Sequence, residues 1–165
     1  MSMYYGESHT TLDEKGRLTV PVQFRPVMET FSHETWFFTR GFDGSIFLFP
    51  NDEWTRLLGR WQEFRQGETL NPRMLDFRRL FLGSVAKVKK DGQWRMLVPA
   101  PLREYAGISR EAVLLGVEEH LEMWSKEGWR KFQEAQMDSY KAMGLELFSS
   151  GAGTLAATEG DVQGD

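Results

Sequence analysis

Two short stretches hold the residue types that could do chemistry. "DEKGR" runs from Asp13 to Arg17 and "DGQWR" from Asp91 to Arg95, each setting a guanidinium four residues after a carboxylate. One reading is purely local. An Asp that opens a tight turn and a Gly at its exit form a type I turn signature, with the Asp13 carboxylate as cap and Gly16 at positive φ. Arg17 is then only the first residue of the returning strand. The repetition supports a second reading, because the later copy loses the Gly and keeps the Arg. A guanidinium is a planar fork that grips a carboxylate, a phosphate or the two acceptors of a guanine edge. Arg17 and Arg95 would project towards one common partner. Lys15 on the first loop, and Lys87, Lys89 and Lys90 beside the second, would add phosphate contacts. In the second copy the bulk of Trp94 disfavours positive φ, so Gly92 is expected to become the flexible point.

The elements that must position these loops repeat as well. Asp13, Arg17, Leu18, Val20-Pro21 and Arg25 correspond to Asp91, Arg95, Met96, Val98-Pro99 and Arg103. After a change of spacing, Gly41, Ile46, Leu48, Phe49 and Trp54 correspond to Gly116, Leu121, Met123, Trp124 and Trp129. Each half reads as loop, short strand ended by Val-Pro, short helix, two further strands and a helix. The prolines suit a strand end followed by a first helical turn. Asp43-Gly44 suits a hairpin turn, and Gly107 a helix stop. Asn51 is expected to cap a helix with Trp54, Leu57, Leu58, Trp61 and Phe64 on one face. Asn71-Pro72 opens a second helix ending at Gly83. Ser125 opens a third with Trp129, Phe132, Met137 and Tyr140 on one face and Gly144 as its stop. From Ser149 the small, polar and acidic composition reads as a disordered tail.

Composition narrows the function classes. The chain has 165 residues, a net charge of −4 and no cysteine, which removes disulfides, thiolate metal sites and cysteine nucleophiles. The net charge argues mildly against nucleic acid. Its distribution argues less, because Lys87, Lys89, Lys90, Arg95, Arg103 and Arg110 cluster with only Asp91 and Glu104 among them, while the acids gather C-terminally. No apolar run is long enough for a transmembrane helix, and no secretory signal pattern opens the chain. His9, His33 and His120 lie far apart, in no metal-ligand spacing, and read as surface or packing residues. No phosphate loop or nucleophile elbow is present, so an enzyme is disfavoured and no cofactor or metal is called for.

The stretches "LDEKGRLTVPVQFR", "GFDGSIFLFPNDEW", "FLGSVAKVKKDGQWRMLVPAPLREYAGI" and "AVLLGVEEHLEMW" together resemble the MraZ family of bacterial transcription regulators, built from two SpoVT-AbrB-type half-units. The likeness runs from Tyr5 to about Trp129 and departs at Trp94, where the family usually has Gly. It implies an α+β fold, a swapped-hairpin AbrB-like β-barrel of two pseudo-twofold-related halves with flanking helices. The halves would be residues 5–52 and 81–124, with linking helices at 53–80, a C-terminal helix at 125–148 and a tail at 149–165. It implies double-stranded DNA as partner, with DNA-binding residues Asp13, Lys15, Gly16, Arg17, Lys89, Lys90, Asp91 and Arg95. It further implies a ring-shaped homo-oligomer, without membrane contact, in the cytoplasm and on the nucleoid. Such a ring would bind repeated elements upstream of the division and cell-wall gene cluster and repress it. The alternative from another class is a structural assembly in which the arginines form ion pairs between subunits.

Overall fold

Pro21 and Pro99 set the length of two strands central to the fold. Proline has no N–H for a ladder and fixes φ, so β2 (Arg17–Thr19) and β6 (Arg95–Leu97) each stop after three residues. The computed structural model describes residues 3–64 and 71–151. In chain order it has β1 (Tyr4–Thr11), β2, a 3-10 turn at Val22–Phe24, α1 (Arg25–Thr30), β3 (Thr35–Arg40), β4 (Ile46–Pro50) and α2 (Asn51–Phe64). There follow α3 (Pro72–Leu82), β5 (Ala86–Lys89), β6, α4 (Ala100–Tyr105), β7 (Glu111–Glu118), β8 (His120–Trp124) and α5 (Lys126–Gly151). The chain divides into two units, Met1–Trp129 and Arg130–Asp165.

The fold is α+β, as expected, but it is not a closed barrel. Six strands form one antiparallel sheet in the order β1-β7-β8-β4-β3-β5, and β2 and β6 form a separate two-stranded ribbon. The reason lies in the ribbon. Its strands are only three residues long, and β2 pairs with β6 and not with β1, so the ribbon does not join the ladder of the six-stranded sheet. Pairing crosses the halves elsewhere too: β1 pairs with β7 from Tyr4↔Glu118 to Thr11↔Glu111, and β4 pairs with β8.

The two faces of the sheet bury separate cores. One core joins the sheet to the ribbon and the short helices through Leu18, Val20, Phe24, Trp36, Phe38, Leu48, Met96, Val98, Leu102 and Leu114. The other packs α2 and α3 on β3 and β4 through Phe49, Trp54 and Phe81, with Phe37, Leu57, Trp61 and Phe77 around them. This second core is a run of stacked rings, Phe37 on Trp54 at 5.4 Å and Phe77 on Phe81 at 5.4 Å.

Two helix expectations need adjustment. Asn51 lies inside α2 and does not cap it; the Asp52 carboxylate instead accepts the Glu53 N–H at 2.9 Å. The side chain of Phe64 lies outside the described residues. Gly144 does not stop α5, which continues to Gly151, because an interior glycine costs only about 1 kcal/mol against Ala. Asn71 does cap α3, accepting the Arg73 N–H at 3.0 Å, and Ser125 accepts the Gly128 N–H at 2.9 Å at the head of α5. Of the tail expected from Ser149, Ser149 and Ser150 belong to α5 and residues 152–165 lie outside the described residues.

Candidate functional site

The two Asp loops have the same hydrogen bonds. In the first, Asp13 Oδ1 accepts the backbone N–H of Lys15 and of Arg17, each at 2.9 Å, and Asp13 Oδ2 accepts Arg17 Nε at 2.6 Å. In the second, Asp91 Oδ1 accepts the N–H of Gln93 and of Arg95, each at 2.9 Å, and Asp91 Oδ2 accepts Arg95 Nε at 2.8 Å. The turns are closed alike by Asp13 N–H to the Arg17 carbonyl and Asp91 N–H to the Arg95 carbonyl, both at 3.0 Å. The turn reading of the Asp was therefore correct but incomplete. The same carboxylate that caps the turn also holds the arginine by one edge of its fork.

The fourth loop position overturns an expectation. Trp94 itself takes φ +60°, as Gly16 takes +81°, and Gly92 does not stand in for it. Packing offsets the strain of a bulky residue in this region. The indole packs against the main core, with Arg25 Cζ 5.2 Å and Lys90 Nζ 4.3 Å from the ring centroid. At Gly16 such a ring would have to displace the Arg103 guanidinium, since a Cβ would come within 2.9 Å of Arg103 Cζ.

Arg25 and Arg103 are the residues whose place the sequence reading left unassigned. Arg25 Nε donates to the Val20 carbonyl at 3.0 Å and Arg103 Nε to the Val98 carbonyl at 3.1 Å. Each half sends its arginine to the loop of the other half, Arg25 to Trp94 and Arg103 to Gly16. The signal was present in the repeat, where both follow the loop arginine at the same interval. Among the described residues neither has a carboxylate partner.

The ribbon fixes where the loop arginines sit. Arg17 lies opposite Leu97, Leu18 opposite Met96 and Thr19 opposite Arg95. Leu18 and Met96 are fully buried. Strand side chains alternate, so Arg17, Thr19, Arg95 and Leu97 share the outward face. The two arginines are diagonal neighbours, on the order of 7–8 Å apart. They are equally accessible, at 28% and 30% of their side-chain surface. Lys15 and Lys89 are exposed, whereas Lys90 is half-buried and donates to the Asp91 carbonyl at 3.2 Å. The Arg17 N–H is the main cause holding the Asp13 carboxyl below the usual carboxylate range, with partial desolvation opposing and the Arg17 guanidinium and Lys15 N–H assisting. Asp91 is lowered in the same way, first by the Arg95 N–H.

A buried polar chain also went unread in the sequence. Tyr4 hydroxyl and His33 Nδ1 lie 2.7 Å apart, and His33 Nε2 is 3.1 Å from the Asp52 carboxylate. It ties β1 to α2. Among the described residues no group of three or more His, Cys, Asp or Glu side chains is placed to hold a metal ion, and no described helix is long and apolar enough to cross a membrane.

The MraZ protein family, described as antitoxin-like, matches residues 3–77 and 81–143. The protein named Transcriptional regulator MraZ of Syntrophomonas wolfei is 36% identical over 149 residues, covering 90% of this chain and 99% of that protein. Its namesake from Desulfitobacterium hafniense DCB-2 is 35% identical over the same shares. That from Lactiplantibacillus plantarum is 34% identical over 131 residues, 79% of this chain and 88% of that protein. With two matching segments that hold both Asp loops, and relatives aligned across most of its length, the chain belongs to the MraZ family.

Proposed function

We propose that this chain is a transcription regulator that binds double-stranded DNA through the β2–β6 ribbon. One observation carries the reading: both Asp-x-x-x-Arg loops flank a single ribbon whose outward face bears Arg17 and Arg95. A two-stranded β-ribbon fits the major groove, where an arginine fork reads guanine O6 and N7. Asp13 and Asp91 orient the forks, Gly16 admits the first turn, the exposed Lys15 and Lys89 lie beside the loops as phosphate contacts, and Lys90 lies half-buried at the second loop. The names of the relatives support the regulatory role. The reading extends to a cytoplasmic protein acting on the nucleoid, with tandem elements upstream of the division and cell-wall gene cluster as its targets and repression as its effect. The cross-half pairings of β1 with β7, β2 with β6 and β4 with β8 support the interleaved, swapped-hairpin arrangement of the family.

A ring of copies completes the reading. One chain offers few cations, and aligning several copies on tandem elements raises apparent affinity by roughly 10²–10⁴. Two apolar surfaces support self-assembly: a groove of about 520 Å³ lined by Phe42, Phe47, Leu57, Trp61 and Phe77, and the exposed Tyr140, Leu147 and Phe148 of α5. The test is a gel shift on the DNA upstream of the protein's own gene, across a salt series, with one element and with several in tandem. Tighter binding to tandem elements, lost in Arg17→Ala, is expected. Equal binding to one and to several would end the ring reading, and no binding would end the DNA reading.

A further inference from the structure

We propose that Trp94 is a positioning residue that draws Lys90 into the second loop and away from the DNA phosphates, so that the two loops of one chain bind phosphate unequally. The inference rests on the DNA-binding reading above and adds a control element to the same site. Lys90 Nζ lies 4.3 Å from the Trp94 ring centroid and donates to the Asp91 carbonyl at 3.2 Å. Its backbone is tied as well, through its N–H to the Glu34 carbonyl at 2.8 Å. A cation within about 6 Å of an indole face is attracted by the ring quadrupole. A phosphate must compete with the ring and the carbonyl for the Lys90 ammonium. The first loop has no such restraint. Gly16 offers no ring, and Lys15 is exposed, with no side-chain partner among the described residues. Gln93 stands where Lys15 stands in the first loop, so Lys90 is the nearest lysine the second loop could offer. The same tryptophan meets Arg25 Cζ at 5.2 Å, which helps hold the ring where Lys90 finds it.

The test uses the full chain and a random-sequence duplex, with affinity measured over a range of KCl. Trp94→Gly and Trp94→Asn both tolerate the left-handed backbone and neither has an aromatic face. Each phosphate newly neutralised steepens the plot of log affinity against log salt by about 0.9. Both variants should steepen it by about that amount per engaged subunit, and adding Lys90→Ala to either should return the slope to the wild-type value. Circular dichroism confirms folding, and the Asn variant carries the test if the Gly variant is unstable. An unchanged or shallower slope in the folded variants overturns the inference while leaving DNA binding intact. So does a steeper slope that Lys90→Ala fails to reverse. Wild-type protein without salt-dependent binding would overturn both this inference and the reading beneath it.

Discussion

The Asp13–Arg17 and Asp91–Arg95 loops share only their first and last residues, yet match bond for bond. The most informative of their three differences is at the fourth position, Gly16 against Trp94. It shows that the loop conformation is imposed by the Asp carboxylate and the ribbon behind it, not by glycine. Glycine reaches the left-handed region without steric cost. Tryptophan is held there by its contacts with Arg25, Lys90 and the core.

The largest effects should test whether the loops are functionally as well as geometrically equivalent at their arginines. Arg17→Ala and Arg95→Ala should each cost about 1–3 kcal/mol of specific DNA binding, and by similar amounts, since both forks are held and exposed alike. Titrations of specific and scrambled duplexes at fixed salt measure this. A tenfold gap between the two variants, roughly 1.4 kcal/mol, would break the equivalence. Next in size is the fourth position. Gly16→Ala should destabilise the fold by about 1–2 kcal/mol, because φ is +81° and the new Cβ meets the Arg103 guanidinium. Trp94→Gly should change stability less, since relief of left-handed strain, about 1–2 kcal/mol, offsets the lost indole packing. Urea unfolding midpoints decide between them.

A smaller difference should separate the crossing arginines. Arg25→Ala and Arg103→Ala each lose one bond to a carbonyl, but only Arg25 has an indole beneath it. Arg25→Ala should therefore be the more destabilising by about 0.5–1 kcal/mol, read by thermal unfolding. The smallest effect is in acid. Both carboxyls titrate below the ordinary aspartate value in the folded chain. Their contribution is present above the unfolded aspartate pKa and is lost as pH falls through the lowered folded values. Carboxyl carbon shifts followed by NMR should show Asp13 and Asp91 moving together; one of them titrating at the ordinary value would mean its loop is open in solution.

Much of this arrangement was legible in the residues. The duplicated Asp, Arg and Val-Pro marked both loops and both ribbon strands, because turn chemistry and proline act locally. Asn71, Ser125 and Gly107 marked helix ends for the same reason. What stayed hidden depends on partners far away in sequence. Nothing near Trp94 announces that Arg25 will reach its ring, so its positive φ could not be read from the loop. The Tyr4–His33–Asp52 chain joins β1, the α1–β3 loop and α2, which only the tertiary fold brings together. The open sheet was hidden likewise, because short strands beside Val-Pro fit a barrel stave and a separate ribbon equally well.

The pairing of β1 with β7 has a consequence for how the chain is made. Tyr4 meets Glu118, on the order of a hundred residues further along. A segment emerging at about 5–20 residues per second leaves β1 without its neighbour for several seconds. Neither half can complete its own sheet in that time, since β2 and β4 also wait for β6 and β8. Closing such long loops before any contact rewards them slows folding. The intertwining that brings Arg17 and Arg95 together thus makes this chain a late folder on the ribosome, its two halves completed together once β7 and β8 have emerged.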